Sequence, residues 1–382
     1  MGRVRLGARP RAVTLDDVAR KSGVSRATAS RALNGRERVN PDVRDRVRLI
    51  ADVLGYRPNS VARSLASGRS DVLGLVLPTG HIVSEPYEAH LLEAVAEAAT
   101  RSGHGLMLWL AKGEPSPAVR DEFRTGFVDG LIISGVAVGA GWVEDLLDGP
   151  HPCVLVGRHP TRTDVPSIEI DNVGGARRAA EHLVAGGSRR IAIVLGPADR
   201  TDSEDRDRGF RDGVATGEAT LDELLVERGS FTQESGFEAM QRLLPQRPDG
   251  VFASNDQMAV GVLRAIAAAG LRVPDDIAVV GFDDLPVAAT TQPPLTTIRH
   301  DIDAVGTAAI DALLRLLDRE HTDGAGETST VLPTPLIVRQ SSRPIADADQ
   351  GAANERGVGG DHLPHPDPRP DPTDMGEQER TR

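Results

Sequence analysis

The arrangement of apolar and polar positions divides the chain into segments of different periodicity. Residues 13–58 carry apolar stripes at helical spacing, and residues 59–70 form a short linker of polar and small side chains. From residue 71 to about 342, short continuous apolar runs alternate with stretches of helical periodicity. Such alternation predicts parallel sheets covered on both faces by helices. Because this segment is longer than one such sheet usually needs, it is predicted to form two doubly wound lobes with a cleft between them.

The same pattern predicts the individual elements. Strands are expected over residues 72–77, 106–110, 130–133, 153–156, 191–195, 250–253 and 277–280. Helices are expected between them, over residues 89–100, 176–185, 235–244, 258–269 and 302–317. The predicted fold class is therefore an α-helical head followed by an α/β core.

The two ends of the chain differ in composition from the predicted domains. Residues 1–12 are basic and are predicted to form a disordered arm; because no apolar segment follows them, they are not expected to be a secretory signal. Residues 343–382 are rich in Pro, Asp and Gly and are also predicted to be disordered. No apolar run reaches the roughly 18–20 residues that a membrane-spanning helix needs. We therefore expect a cytoplasmic protein without membrane contact.

Charge is distributed unevenly along the chain. The formal net charge is −12, which alone argues against binding to nucleic acid. Residues 1–70, however, hold 16 Arg and Lys residues against 6 Asp and Glu residues, whereas the remainder holds 28 against 50. A basic head on an acidic body favours a phosphate-binding module joined to a domain with another role. The single cysteine, Cys153, excludes an internal disulfide framework and a multi-cysteine zinc site.

The basic head has the start and stop signals of three short helices. Thr14, with Asp17 three positions later, predicts a capping box at the start of the first helix. Gly23 allows a tight turn after it. Ser25 is expected to cap a second helix, which ends at Asn34. Two short helices joined by a tight turn, with a third behind them, are typical of a helix-turn-helix DNA-binding domain.

The second of these helices, residues 26–33, has the features of a recognition helix. Arg26, Ala27, Ser30 and Arg31 share its outward face near the N-terminal end, which is the part that meets base edges in the major groove. An arginine there can make two hydrogen bonds to guanine, worth about 1–3 kcal/mol of discrimination per base pair. The head is therefore predicted to read a DNA sequence.

A series of short motifs runs through the head, the linker and the core. In the head and linker they are Thr14-Leu15-Asp16-Asp17-Val18-Ala19, Gly23-Val24-Ser25, Ser30-Arg31-Ala32-Leu33-Asn34-Gly35, Leu54-Gly55-Tyr56-Arg57-Pro58-Asn59 and Ala62-Arg63-Ser64-Leu65. In the core they are Asp171-Asn172, His182-Leu183, Ala253-Ser254-Asn255-Asp256-Gln257-Met258-Ala259, Val280-Gly281-Phe282-Asp283-Asp284 and Pro293-Pro294-Leu295-Thr296-Thr297-Ile298. In order and spacing these motifs resemble the lactose-repressor (LacI/GalR) family of bacterial transcription regulators. The resemblance covers about residues 13–342.

For the head, the resemblance implies a homodimer that binds a near-palindromic double-stranded DNA operator, with one recognition helix in each half-site. Residues 13–58 would form the helix-turn-helix domain and residues 59–70 the hinge. Two hinges would become helical in the central minor groove, where Leu65 would insert between base pairs and kink the duplex. The residues assigned to DNA binding are Thr14, Ser25, Arg26, Ala27, Thr28, Ser30, Arg31, Asn34, Tyr56, Asn59, Ala62, Arg63 and Leu65.

For residues 71–342, the resemblance implies a core of the periplasmic-binding-protein type, in which two lobes hold a small-molecule effector, expected to be a sugar. Crossovers are expected near residues 170, 296 and 328, so that the first lobe comprises about 71–170 and 297–327, and the second about 171–296 and 328–342. Where the family usually presents Asn-Pro-Phe-Phe to the ligand, this chain has Ser84-Glu85-Pro86-Tyr87. The residues assigned to effector binding are Tyr87, Arg158, Arg206, Asn255, Phe282 and Asp283. Asp256 would either cap the following helix or touch the ligand.

An enzymatic role is not favoured by the sequence. The chain lacks the Gly-x-Gly-x-x-Gly phosphate turn, the Gly-x-Ser-x-Gly elbow and the phosphate P-loop, and its histidines show no metal-ligand spacing. No catalytic residue, metal or cofactor is therefore predicted. The predicted function is a repressor of a carbohydrate uptake or catabolism operon that a sugar-like effector releases from its operator. Two alternatives stay open: a regulator that needs a co-repressor or partner protein, and a constitutive DNA-binding protein whose core senses nothing.

Overall fold

The computed structural model describes residues 13–33, 39–57, 69–77, 86–110, 127–217, 219, 221–319 and 329–343. The predicted arm, most of the predicted hinge, and the predicted tail beyond Arg343 lie outside the described residues. Within these ranges the chain forms a helical head and two α/β lobes. None of the described helices combines the length and apolar character that a membrane-spanning helix needs.

The head contains the three expected helices. They are α1 (Leu15–Ser22), α2 (Arg26–Leu33) and α3 (Pro41–Leu54). The predicted capping box is present: the Thr14 hydroxyl accepts a hydrogen bond from the backbone N–H of Asp17, and the Asp17 carboxylate accepts one from the backbone N–H of Thr14 at 3.0 Å. After α1 the chain turns at Gly23, whose φ of 66° favours glycine. The Ser25 hydroxyl caps α2 by accepting from the backbone N–H of Thr28 at 3.1 Å.

A small apolar core joins the three helices. Val18, Ala29 and Val47 are completely buried, one from each helix. The helical pattern predicted Ala29 and Leu33 on the inner face of α2, but the structure buries Ala32 completely and leaves Leu33 half-buried. Ala29 therefore faces inward as predicted, and Ala32 is the second completely buried residue of α2, with Leu33 packed at the edge of this core.

Each lobe is built on a six-stranded sheet. The first lobe contains β1 (Val72–Leu77), β2 (Gly105–Leu110), β3 (Gly130–Ser134), β4 (Cys153–Val156), β5 (Ser167–Ile170) and β11 (Thr330–Leu332). The second contains β6 (Ile191–Leu195), β7 (Val226–Arg228), β8 (Gly250–Ala253), β9 (Ala278–Asp283), β10 (Thr296–Arg299) and β12 (Leu336–Ile337). The strand orders are β11-β5-β4-β3-β1-β2 and β12-β10-β9-β8-β6-β7. The described pairs are parallel, except that β12 runs antiparallel to β10.

Helices cover the sheets, as the predicted layer arrangement requires. They are α4 (Pro86–Arg101), α5 (Gly141–Leu147), α6 (Asn172–Ala185), α7 (Thr201–Val214), α8 (Gln233–Leu243), α9 (Asp256–Ala268) and α10 (Ile302–Arg319). Their buried faces and the continuous apolar strands form the cores of both lobes. The strands and helices predicted from the pattern are all present, with bounds that differ by a few residues.

Two of the three predicted crossovers need correction. The first lies beside residue 170 as expected, because β5 belongs to the first sheet and α6 begins the second lobe. The second lies after β10, near residue 300 instead of 296, because β10 pairs in parallel with β9 of the second sheet. The third lies after β11, near residue 333 instead of 328, because β11 pairs with β5 of the first sheet. Strand pairing across long sequence distances sets these two boundaries.

The strand order places a cleft at one edge of each sheet. In the first sheet β2 lies on one side of β1 and β3 on the other, so the chain reverses its direction across the sheet after β2. In the second sheet β7 and β8 flank β6 in the same way. Open α/β sheets bind ligands outside the carboxyl ends of the strands at such switch points. In this structure, loops that follow β3, β4, β6, β8 and β9 meet between the lobes.

Candidate functional site

The cleft between the lobes encloses a cavity of about 690 Å³. Tyr87, at the start of α4, and Arg158, after β4, line it from the first lobe. Arg206 on α7, Asn255 after β8 and Asp283 at the end of β9 line it from the second. A concave site of this size, with apolar walls and a few convergent polar groups, is typical of a small-molecule site.

Arg206 is held rigidly at the floor of the cleft. Its side chain is only 5% exposed, and its Nε donates to the side-chain oxygen of Asn172 at 2.8 Å. A second nitrogen donates to the backbone carbonyl of Ser254, and a third lies 3.7 Å from the Asp283 carboxylate. The guanidinium group also lies 3.7 Å above the centre of the Phe282 ring, a cation–π contact. These contacts fix a charged, planar donor without leaving it unpaired.

Asp283 reaches the cleft through an unusual backbone conformation. Asp283 and Asp284 have positive φ angles of 110° and 57°, a region that L residues adopt at a cost. Asp284 is anchored by two arginines, since it accepts hydrogen bonds from Arg299 at 2.7 Å and from Arg339 at 2.6 Å. These two ion pairs stabilise a turn that points the preceding carboxylate into the cleft, where it is 5% exposed.

Asn255 lines the cavity and also holds two neighbouring elements in place. Its side-chain oxygen caps α9 by accepting from the backbone N–H of Met258 at 2.9 Å, and its amide donates to the carbonyl of Phe231 at 3.1 Å. Phe231 has a positive φ of 63°, and its ring packs against Gly196, where a Cβ atom would lie 2.2 Å from a ring carbon. The amide of Asn255 therefore holds an aromatic ring at the cavity wall.

Carboxylates and a phenol also line the cavity. Burial, together with the carboxylates of Glu88 and Asp283, raises the pKa of the Tyr87 hydroxyl, so the hydroxyl is a neutral donor. Arg200 donates to Asp202 at 3.1 Å. Burial opposes ionisation of Asp202, but the guanidinium groups of Arg200 and Arg206 outweigh it and hold the pKa of that carboxyl below its usual value. The wall is thus polar, with its charges largely paired.

The two lobes are also joined directly across the cleft. Arg158 of the first lobe donates to both oxygens of Asp205 on α7, at 2.9 and 3.0 Å. Its backbone carbonyl accepts from the Thr201 hydroxyl at 3.3 Å. The backbone N–H of Val138 donates to the carbonyl of Asp199 at 2.9 Å. We call these three contacts the interlobe clasp.

The predicted recognition helix presents its residues at the surface of the head. Arg26, Ala27 and Arg31 are exposed, whereas Thr28 and Ser30 are half-buried. The Arg26 side chain is 70% exposed and lies 3.7 Å from Asp16, a loose ion pair that a phosphate or a base could displace. Three of the four residues predicted on the outward face of α2 are thus exposed, and Ser30 is half-buried.

Comparisons with known proteins agree on one family. Residues 14–59 match the model for bacterial regulatory proteins of the lacI family, and residues 180–342 match the model for a periplasmic binding protein-like domain. The HTH-type transcriptional regulator CelR of Thermobifida fusca is 35% identical over 344 residues, which cover 87% of this chain and 99% of CelR. This chain belongs to the LacI family.

Further members of the LacI family match over a similar length. The HTH-type transcriptional repressor PurR of Haemophilus influenzae is 32% identical over 343 residues, or 87% of this chain and 99% of PurR. A solved CelR–cellobiose complex matches with a TM-score of 0.67 at 32% identity, over 86% of this chain and 99% of that one. A lac repressor dimer bound to operator and the anti-inducer ONPF matches with a TM-score of 0.75 at 28% identity, over 87% and 99%.

Membership of the LacI family confirms the resemblance, the fold class and the predicted DNA-binding regulator. The chain is a transcription regulator with a helix-turn-helix head and a two-lobed core of periplasmic-binding-protein type. The relatives named above are transcriptional regulators and repressors.

The structure brings five of the six predicted effector residues of this LacI-family protein to one cavity. They are Tyr87, Arg158, Arg206, Asn255 and Asp283. The sixth, Phe282, is completely buried beneath Arg206 and is not among the residues that line the cavity. Side chains alternate between the two faces of a strand, so Phe282 and Asp283 point in opposite directions from β9.

The structure also locates Asp256 and some of the predicted DNA-binding residues. Asp256 neither caps α9 nor lines the cavity, because Asn255 is the cap and Asp256 is completely buried behind it. Among the predicted DNA-binding residues, Thr14 and Tyr56 are half-buried in the head. Those outside the described residues are Asn34, Asn59, Ala62, Arg63 and Leu65. The sequence reasoning missed Asn172, Arg200, Asp202, Phe231 and His300 of the cavity wall.

Proposed function

We propose that this LacI-family regulator is a homodimeric repressor that a neutral sugar releases from a near-palindromic operator. The charge pattern of the cleft supports the neutral effector. Each of the three arginines on the described cavity wall faces a carboxylate: Arg158 faces Asp205, Arg200 faces Asp202 and Arg206 faces Asp283. A phosphorylated or carboxylated effector would have to displace one of these carboxylates, whereas sugar hydroxyl groups can bond to both members of a pair.

The apolar parts of the wall fit the same class of ligand. The Tyr87 ring approaches from the first lobe and the Phe231 ring from the second. Aromatic rings contact the C–H faces of a sugar, while the paired carboxylates and guanidinium groups bind its hydroxyl edge. The solved CelR–cellobiose complex matches this chain at 32% identity, so this disaccharide is the first effector to test.

The proposed sequence of events follows from the two-lobed architecture. A sugar that contacts both walls favours one angle between the lobes, and a ligand shifts such an equilibrium only by its difference in affinity for the two states. The hinge, residues 59–70, joins the core to the head and is proposed to become helical in the minor groove, with Leu65 between the central base pairs. A changed lobe angle would alter the spacing of the two hinges in the dimer and weaken operator binding.

No catalytic step belongs to this proposal. The cleft side chains are assigned to hydrogen bonding with an effector, and the relatives are regulators. Among the described residues, no cluster of histidine, cysteine and carboxylate side chains could hold a metal ion.

Two measurements test the proposed function in sequence. Purified protein is first used at physiological salt to select bound fragments from the source genome, and a near-palindrome with a deformable centre is expected. Cellobiose is then titrated against the protein–operator complex, followed by fluorescence anisotropy of the labelled operator. Weaker operator binding is expected. Tighter binding would establish the co-repressed alternative, and a flat response to a panel of neutral sugars would rule out the sugar-released repressor.

A further inference from the structure

His300 stands at the point where the chain passes from the second lobe to the first. It follows β10 directly, and α10 of the first lobe begins two residues later. Its backbone N–H donates to the carbonyl of Asp283 at 3.1 Å, and its side chain lines the cleft cavity. The imidazole is only 6% exposed. A buried titratable ring therefore lies both in the effector cleft and at an interlobe crossover.

The polar atoms of this ring are not satisfied by the protein. Within the part of the chain that the structure describes, neither ring nitrogen of His300 has a hydrogen-bond partner, and both are shielded from solvent. The nearest carboxylate oxygen, on Asp283, is 3.8 Å from Nδ1, which is too far for a direct hydrogen bond. The Tyr87 ring packs beside the imidazole, with a centroid distance of 5.1 Å and a tilt of 43°. Buried polar groups are nearly always paired in native proteins, so two unpaired nitrogens in one ring need an explanation.

None of the other described side chains forms a hydrogen bond with the ring. Tyr87 presents its ring, Val305 and Leu285 line the cavity with apolar side chains, and Arg206 is already bonded to Asn172 and Ser254. The cavity itself is the remaining source. The 3.8 Å between Nδ1 and the Asp283 carboxylate is less than twice the usual bond length of about 2.8 Å, so one hydroxyl oxygen can bond to both once a tilt of the ring exposes Nδ1.

We propose that His300 is an effector-binding residue, which shares one sugar hydroxyl with Asp283 after a small tilt of its ring into the cavity. The hydroxyl donates to the Asp283 carboxylate and accepts from, or donates to, the imidazole. The inference rests on the proposed sugar effector. Because His300 lies at the crossover after β10, this hydrogen bond also ties the bound sugar to a segment that must bend when the lobes rotate.

The test compares full-length wild-type protein with two variants at position 300. His300→Phe keeps a planar ring against Tyr87 and removes both nitrogens, whereas His300→Gln keeps one donor and one acceptor. Cellobiose binding is measured by calorimetry and the melting temperature by scanning fluorimetry without ligand. His90→Phe is the matched control, because His90 pairs with Asp303 between α4 and α10 and does not line the cavity.

We expect His300→Phe to bind cellobiose at least tenfold more weakly, equivalent to about 1.4 kcal/mol. Its melting temperature should be unchanged or higher, because the substitution removes two unsatisfied polar atoms. His300→Gln should recover part of the affinity, and His90→Phe should bind like wild type. A purely structural role predicts the opposite pattern, in which both variants at position 300 lose melting temperature and affinity together, and this outcome would overturn the proposal.

Two further outcomes separate the failure of this inference from that of the proposed function. If wild type and His300→Phe bind cellobiose equally, His300 is not a contact residue and the sugar-sensing function stands. If wild type binds neither cellobiose nor any other neutral disaccharide in a panel, the proposed function fails and the contact fails with it.

Discussion

Arg206 is almost fully buried, yet its guanidinium group contacts residues from three elements of the second lobe. It bonds to Asn172 at the start of α6 and to Ser254 after β8, and it stacks on Phe282 of β9. A planar fork with five donors can make all of these contacts at once, whereas a lysine ammonium group is a single charged point. The identity of this one side chain therefore decides the geometry at the floor of the cleft.

Arg206→Lys is expected to separate effector recognition from folding. The lysine keeps a positive charge near Asp283, so the protein should fold and bind its operator. The response to cellobiose should require at least about tenfold more sugar, because one or two charge-assisted hydrogen bonds are worth about 1.5–3 kcal/mol each. The measurement is the sugar concentration that half-releases operator, with Arg208→Lys as control, since Arg208 on the same helix is 60% exposed. An unchanged half-release concentration in Arg206→Lys would place recognition elsewhere.

At the scale of elements, Asp256 binds α9 to the strand and loop that it packs against. Its carboxylate accepts from the backbone N–H of Leu285 at 2.8 Å and from the Thr297 hydroxyl at 2.6 Å. Burial, aided by the nearby Asp283 and Asp284 carboxylates, raises the pKa of Asp256 well above its usual value. The buried carboxyl is therefore stable in its neutral form and costly to ionise.

The stability of the core should consequently depend on pH through Asp256. In the unfolded chain its pKa is about 3.9, and below that pH the carboxyl is neutral in both states and contributes its full stability. Between that value and the raised pKa of the folded state, the contribution falls as the pH rises. Asp256→Asn removes the titrating carboxyl and with it this pH dependence, and the asparagine can still hydrogen-bond to Leu285 and Thr297. In urea titrations its advantage over wild type should grow from pH 4 to pH 7.5, reaching at least about 1 kcal/mol, whereas an advantage that is constant with pH would contradict the assignment.

Helix α2 of the head supports a second expectation at this scale. Arg26 lies at its first turn with its side chain in solvent. Arg26→Ala should lose affinity chiefly at one base pair of each half-site, by about 1–3 kcal/mol, because a bidentate contact to guanine is lost. Binding to a set of operators with single substitutions measures this, with Arg20→Ala on α1 as the control of equal charge. Equal losses on every operator would mean that Arg26 contacts phosphate.

At the scale of the whole core, the interlobe clasp connects two lobes whose relative angle matters for regulation. Its ion pair joins Arg158 of one lobe to Asp205 of the other, with side chains 33% and 10% exposed. Arg208 also bonds to Asp205, but it lies on the same helix and does not cross the cleft. The ion pair between Arg158 and Asp205 is thus the part of the clasp that a side-chain substitution can remove without touching the cavity floor.

Asp205→Asn is expected to shift the lobes toward a more open arrangement. Loss of a partly buried bidentate ion pair costs about 1 kcal/mol, so an effector that needs the closed lobes should bind about fivefold more weakly. Small-angle scattering should show a larger radius of gyration without effector that returns to the wild-type value at saturating cellobiose. Arg208→Gln is the control and should leave both quantities unchanged. Identical scattering from Asp205→Asn and wild type would show that the clasp does not set the lobe angle.

Much of the fold was determined by the sequence through local relationships. The capping box of Thr14 and Asp17 and the turn at Gly23 depend on neighbours a few residues apart, so the sequence predicts them directly. The same holds for the apolar strands and the helices between them. The helix-turn-helix motifs and their order identified the family, because each is a local pattern in a fixed register.

The tertiary structure decided the features that depend on distant partners. Helix α7 has a charged sequence without a clear apolar stripe, so its sequence does not predict a helix that packs in the core. It packs there because Gly209 and Gly213 lack side chains and allow close contact with α6. Short strands such as β10 and β11 could be assigned to a lobe only by their pairing, which moved two crossovers. Residues far apart in sequence, such as Arg158 and Asp205, meet only once both lobes have folded. Local periodicity sets which residues are buried within an element, but the contacts of a cleft depend on how whole elements pack, and no short window of sequence contains that information.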